Sequence, residues 1–225
     1  MVMASRFKGI VFDFDGVILD SESSVISCWK IVAEEEGIEG IEDHCRECLG
    51  LNRNETRIRF NRRYNGTADY EELTEKRRKV FWEMFDQGLI PLKPGAKELL
   101  QYLSENGYKI ALASSTNKSS IIHETEFWDI RKYFDVLVCG DMVNRSKPAP
   151  DIFLEAARRI GLEPHECIGI EDSLNGLRAC HKAGLFTVMV PDLLEPNEET
   201  QNLTDKVYSS LMEVQQAIEN NTLIS

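Results

Sequence analysis

Asp13 and Asp15 stand two residues apart at the end of an apolar run, Ile10-Val11-Phe12, and Gly16 follows directly. Alternate residues of a strand share a face about 6–7 Å apart, so two such carboxylates repel each other unless a cation lies close or the chain turns at once. Gly16 permits that turn. A strand ending in two acids and a glycine puts carboxylates at the carboxyl edge of a sheet, where open α/β folds hold their ligands. Read alone, the same residues also describe a strand followed by a solvated acidic turn. Three further segments bear on the choice. Leu112-Ala113-Ser114-Ser115-Thr116-Asn117 brings hydroxyls and main-chain N–H groups to a helix start, either for an oxyanion or as a plain serine N-cap. Ser146-Lys147-Pro148-Ala149-Pro150-Asp151 sets a lysine in stiffened backbone, either a phosphate-binding ammonium or a surface lysine ahead of a helix. Ile168-Gly169-Ile170-Glu171-Asp172-Ser173 ends another apolar run in two acids, which offer oxygen ligands for magnesium, unless Asp172 or Ser173 simply caps a helix beginning at Leu174.

The elements that would position these groups can be read from the hydrophobic pattern. Short runs rich in Val, Ile and Leu at Gly9 to Phe12, Lys109 to Ala113, Val136 to Cys139, Cys167 to Ile170 and Phe186 to Val190 predict buried strands. Helical periodicity spans Gly95 to Glu105, Ile152 to Ile160 and Leu174 to Ala183, and Gly161 and Gly184 close the last two. The alternation predicts an α/β fold, a Rossmann-like parallel sheet with helices on both faces. Residues 21–90 break the pattern: the stretch is polar and helical, with helices expected over Ser24 to Glu36, Asn54 to Tyr64 and Tyr70 to Gln87. The expected division is a catalytic core of residues 1–20 and 91–225, and an inserted helical cap of 21–90 that covers Asp13 and Asp15 as a lid. Asp192 to Thr200 reads as loop, followed by a short edge element and a helix from Leu211 to Glu219.

The chain has 225 residues, 42% of them hydrophobic, enough for one large core or a core with a smaller unit. A net charge of -12 argues against nucleic-acid and acidic-membrane partners, which need a basic face. No apolar run approaches the ~20 residues of a membrane span, and no signal-peptide core precedes the first strand, so a cytoplasmic location is expected. Six dispersed cysteines read as free thiols.

Four strand ends carrying a carboxylate pair, a hydroxyl, a lysine and a second carboxylate pair, in this order, resemble the haloacid dehalogenase superfamily of phosphotransferases. The resemblance covers essentially the whole chain. Asp13 to Asp20, Ser146 to Phe153 and Gly169 to Gly176 are similar to the β-phosphoglucomutase-like subgroup. It implies that Asp13 is the nucleophile, forming an aspartyl phosphate, and that Asp15 is the general acid and base. It implies Mg2+ held by Asp13, the Asp15 main-chain carbonyl and Asp172, with Glu171 as a further candidate. Ser114, nearby amides such as that of Ser115, and Lys147 would then neutralise the phosphoryl oxygens. In Gly50-Leu51-Asn52-Arg53, Gly50 and Arg53 fall where the subgroup's cap meets the distal phosphate of the substrate. Arg78 or Lys79 matches a second basic cap position. From Arg46 to Lys79 there are ten Arg or Lys against six Asp or Glu, a balance that draws an anion or simply solvates helix faces.

One departure bears on the acceptor of the phosphoryl group. Sugar-phosphate mutases of the subgroup carry a histidine ten residues beyond the acid/base aspartate, and here that position is Val25. The expectation is therefore a magnesium-dependent phosphatase for a small phosphorylated metabolite, a sugar phosphate being one candidate. A β-phosphoglucomutase-type isomerase is the alternative. A non-enzymatic binding protein on the same fold is the remote one, and would have lost motif residues that this chain keeps. A monomer or weak oligomer is expected. Cys45-x-x-Cys48 lacks the second pair of a structural zinc site. His123, His165 and His181 are assigned to the surface, and Trp29, Phe81, Trp82 and Phe85 to packing, with Trp29 also a candidate to face the cleft.

Overall fold

The computed structural model describes residues 7–49, 51 and 53–223, the side chain of Arg53 excepted. The five apolar runs form the strands β1 (Gly9–Phe12), β2 (Lys109–Ser114), β3 (Val136–Cys139), β4 (Cys167–Glu171) and β5 (Phe186–Met189), and β6 (Lys206–Val207) adds a short edge. All pairs are parallel and the order is β3-β2-β1-β4-β5-β6, so β1 lies inside the sheet between β2 and β4. The register sets Phe12 beside Leu112 and Ile170, which brings the carboxyl ends of the three strands level. Near-continuous apolar strands are what a parallel sheet covered on both faces requires.

Ten helices accompany the strands among the described residues: α1 (Ser21–Glu36), α2 (Ile41–Glu47), α3 (Arg53–Tyr64), α4 (Tyr70–Asp86), α5 (Ala96–Glu105), α6 (Lys118–Phe127), α7 (Asp151–Arg159), α8 (Leu174–Ala183), α9 (Glu198–Leu203) and α10 (Leu211–Glu219). One sheet face, represented by Val11, Ala111, Ala113 and Val138, packs on Ile152, Phe153, Ala156 and Ala157 of α7 and on Ala179, Cys180 and Ala183 of α8. Gly169 makes that packing close, because a Cβ there would stand 2.1 Å from the Cys180 Sγ. None of these helices is long and apolar enough to cross a membrane.

The chain divides into two compact units, residues 1–19 with 92–225, and residues 20–91. The second contains α1 to α4. Its centre is aromatic: Phe60 packs with Tyr64 at 4.5 Å and Tyr70 at 5.3 Å between ring centroids, and Val32, Ile41 and Leu73 complete the cluster. The unit has four helices where periodicity predicts three. The extra one, α2, follows the left-handed Gly40 and buries Ile41 and His44, the latter edge-on to Phe60. In the first unit, α6 follows the helix start expected after Asn117, while α9 is additional and begins inside the stretch expected to be loop.

Candidate active site

β1 stops at Phe12, so strand alternation does not govern the two aspartates. Asp13 continues the sheet edge through its N–H to the Ile170 carbonyl, 2.9 Å, and the chain then turns. Gly16 has φ +76°, and a Cβ at this position would lie 2.3 Å from the Asp172 Oδ2. Both the left-handed backbone and the close approach demand glycine. Asp13 and Asp15 consequently serve different surroundings.

Asp13 is buried, and its Oδ1 accepts a hydrogen bond from the Lys147 Nζ at 2.5 Å. The same ammonium donates to the Glu171 Oε1 at 2.6 Å, lies 5.1 Å from the centroid of the Phe153 ring, and has a side chain only 6% exposed. The Lys147–Pro148 peptide bond is cis. Phe153 comes from the first turns of α7, so the helix after the proline segment packs the lysine it follows.

Glu171, the last residue of β4, is fully buried, and its Oε2 accepts from the Asp172 and Ser173 N–H groups and from the Ser173 hydroxyl. Gly176 on α8 leaves the room, since a Cβ there would meet the carboxylate at 1.9 Å. Ser173 caps α8, its Oγ accepting from the Gly176 N–H at 3.1 Å. The helix is therefore capped by the serine and not by Asp172.

Asp13, Glu171 and Asp172 bring carboxylate oxygens within 4.8 Å of one another. Burial pushes the Asp13 carboxyl up to about 8; Lys147 opposes the rise, and the charges of Glu171 and Asp15 add to it. Burial also disfavours the Lys147 ammonium, but Asp13 and Glu171 outweigh that and hold it above the ordinary lysine range. One ammonium thus leaves the acids under-neutralised. Hard oxygen donors with unmet negative charge suit a divalent cation of the Mg2+ class.

Asp15 faces the end of β2, where its Oδ2 accepts from the Thr116 hydroxyl at 2.9 Å. The Ser114 Oγ, fully buried, accepts from the Thr116 N–H at 3.0 Å. Neither Ser114 nor Ser115 caps the following helix; Asn117 does, accepting from the Ser120 N–H. Ser115 is exposed, and Gly140 allows its carbonyl to pass close by. On α6, Glu124 is only 3% exposed and its Oε2 has no hydrogen-bond partner. Burial pushes this carboxyl up to about 8, with the charge of Asp15 adding to the rise.

Among the expected residues, the structure gathers Asp13, Lys147, Glu171 and Asp172, and joins Asp15 to the Ser114 turn through Thr116. Gly50 and the side chain of Arg53 lie outside the described residues. Sequence reading gave no role to Thr116, Phe153 or Gly176, although each lies in a segment already singled out, and it passed over Glu124, which carries no motif.

The family model for haloacid dehalogenase-like hydrolases matches residues 10–190. A phosphorylated carbohydrates phosphatase of Thermotoga maritima is 30% identical over 182 residues, 79% of this chain and 82% of that protein. A β-phosphoglucomutase of Bacillus subtilis is 32% identical over 192 residues, 81% and 83% of the two chains. Among solved structures, a mutant of CbbY from Rhodobacter sphaeroides in complex with xylulose-(1,5)-bisphosphate superposes with a TM-score of 0.74 at 26% identity, covering 92% of this chain and 96% of that one.

Proposed function

The chain belongs to the haloacid dehalogenase-like hydrolases, and from that premise we propose that it is a Mg2+-dependent phosphatase of a small phosphorylated carbohydrate or related metabolite. The observation that carries the reading is the buried set of Asp13, Glu171 and Asp172 gathered around a single lysine. Asp13 attacks the phosphorus, and the bond to the leaving oxygen breaks as the aspartyl phosphate forms. Asp15 gives that oxygen its proton. It then takes a proton from the water that attacks the intermediate, releasing inorganic phosphate and restoring Asp13. The Thr116 hydroxyl occupies the Asp15 Oδ2 and so leaves Oδ1 for the proton.

Asp13, Asp172 and the Asp15 main-chain carbonyl would hold the metal, with Glu171 adding charge and fixing Lys147. When bound, magnesium supplies charge neutralisation between the carboxylate and the phosphate dianion. Lys147, with Ser114 and the amides of its turn, including that of Ser115, balances charge on the phosphoryl oxygens. We assign Gly50 and Arg53 to substrate phosphate binding on the motif match alone.

A mutase reading has the Bacillus subtilis relative in its favour. Val25 favours water as the acceptor, since this half-buried residue of α1 offers no polar group where the subgroup's mutases have histidine. The test is a panel of phosphorylated sugars and other metabolites, with Mg2+ and with EDTA, in which released phosphate and isomerised product are measured separately. Phosphate release that needs Mg2+ and drops by about three orders of magnitude or more in Asp13→Asn is expected. Isomerisation faster than phosphate release would overturn the phosphatase reading.

A further inference from the structure

The turn that carries Asp15 has a second set of neighbours, away from the groups used above. Within the turn, the Gly16 N–H donates to the Leu19 carbonyl at 2.9 Å, and the Ile18 and Leu19 N–H groups donate to the Phe14 carbonyl at 2.8 and 3.0 Å. Leu19 bridges Leu92, and the Lys93 N–H donates to the Ile18 carbonyl at 2.8 Å. The Lys93 ammonium then reaches the Asp192 Oδ1 at 2.7 Å, just beyond β5. The two side chains are 21% and 7% exposed. The Asp192 Oδ2 is buried without a hydrogen-bond partner and lies 3.4 Å from the point where a Cβ on Gly16 would stand.

We propose that Lys93 and Asp192 form a positioning clamp for the Gly16–Leu19 turn, and that the clamp holds Asp15 in place beside Asp13. Lys93 ties the turn through its main chain and the edge of β5 through its side chain. Asp192 packs against the turn on the same glycine that Asp172 touches. A purely structural contact at this place would be served by an apolar residue, because an ion pair taken out of water must offset its desolvation before it stabilises anything. What the pair adds is a fixed direction. The catalytic consequence rests on the phosphatase reading, but the geometric claim does not.

The test uses Asp192→Ala and Asp192→Asn in the full chain, with p-nitrophenyl phosphate as substrate and amide hydrogen exchange read over residues 14–19. A misplacement of about 1 Å costs on the order of a hundredfold in rate, so Asp192→Ala is expected to lower kcat by about 10- to 100-fold with KM within about threefold. Exchange should rise over 14–19 and not in α10. Asp192→Asn keeps an oxygen for Lys93, and should return kcat to within about threefold of wild type with exchange restored. The clamp is overturned if Asp192→Ala leaves exchange over 14–19 unchanged, if exchange rises while kcat does not fall, or if it rises throughout the unit with Asn as defective as Ala. If the wild type hydrolyses no phosphomonoester, the phosphatase reading fails, and the exchange measurements alone decide the clamp.

Discussion

The two units bury different kinds of group. The sheet unit encloses Lys147 among Asp13 and Glu171 and leaves the Glu124 Oε2 without a partner, whereas the helical unit encloses aromatic rings. Its ion pairs among the described residues lie at the surface, as in Lys76 with Glu36 and Glu72, or Arg63 with Glu47. Screened pairs of that kind contribute little, while a buried charge cluster is costly and persists where chemistry needs it. The contrast marks the sheet unit as the place where stability is given up for reactivity.

Lys147→Met should break the contrast most severely. Removing the ammonium leaves Asp13 and Glu171 buried without it, at a cost of about 3–5 kcal/mol, and should abolish most turnover. Asp13 is held up to about 8 with the ammonium opposing the rise, so the variant takes up its proton at higher pH still. Urea unfolding is expected to show the deficit shrinking as pH falls toward about 8. Phe60→Ala, which removes the fully buried ring of the aromatic cluster, should cost a similar ~3–5 kcal/mol, but the deficit should barely change with pH. Equal pH dependence in the two variants would erase the distinction.

Glu124 gives a smaller effect of opposite sign. Its folded-state carboxyl is held up to about 8 against 4.5 in the free residue, so the fold keeps a proton that the unfolded chain releases. Stability from this group is complete below about 4.5 and declines as pH rises through about 8. Glu124→Gln should therefore match the wild type at pH 4 and exceed it at pH 8 by up to a few kcal/mol, measured by denaturant unfolding. Least affected should be Lys76→Ala, whose Tm is expected within about 2 °C of wild type. A larger drop would mean that the surface charges of the helical unit matter more than their exposure implies.

Legibility followed the same division. The strands were readable because a sheet covered on both faces needs unbroken apolar runs, and three of the four chemical segments because each sits where such a run stops, the Lys147 segment following β3 after a short connection. The contacts among them were not readable, since Lys147 meets Glu171 and Thr116 meets Asp15 only after the chain closes across distant segments. Only the start of α6 was readable, because the helix buries Glu124 and Thr125 beside Ile121, which hides its apolar face. The helix α2 has seven residues and buries a histidine, too short and too polar for periodicity to mark.

The position of β1 within the sheet has a temporal consequence. Its partners β2 and β4 lie roughly a hundred and roughly a hundred and sixty residues further along the chain, so pairing on both its edges must await the emergence of β4. The helical unit is complete in sequence long before that, by Pro91. A ribosome therefore releases Asp13 well before its surroundings, which assemble once Lys147, Glu171 and Asp172 have emerged. Asp13 on the nascent chain lacks these partners, and the cluster closes only after β4 has emerged.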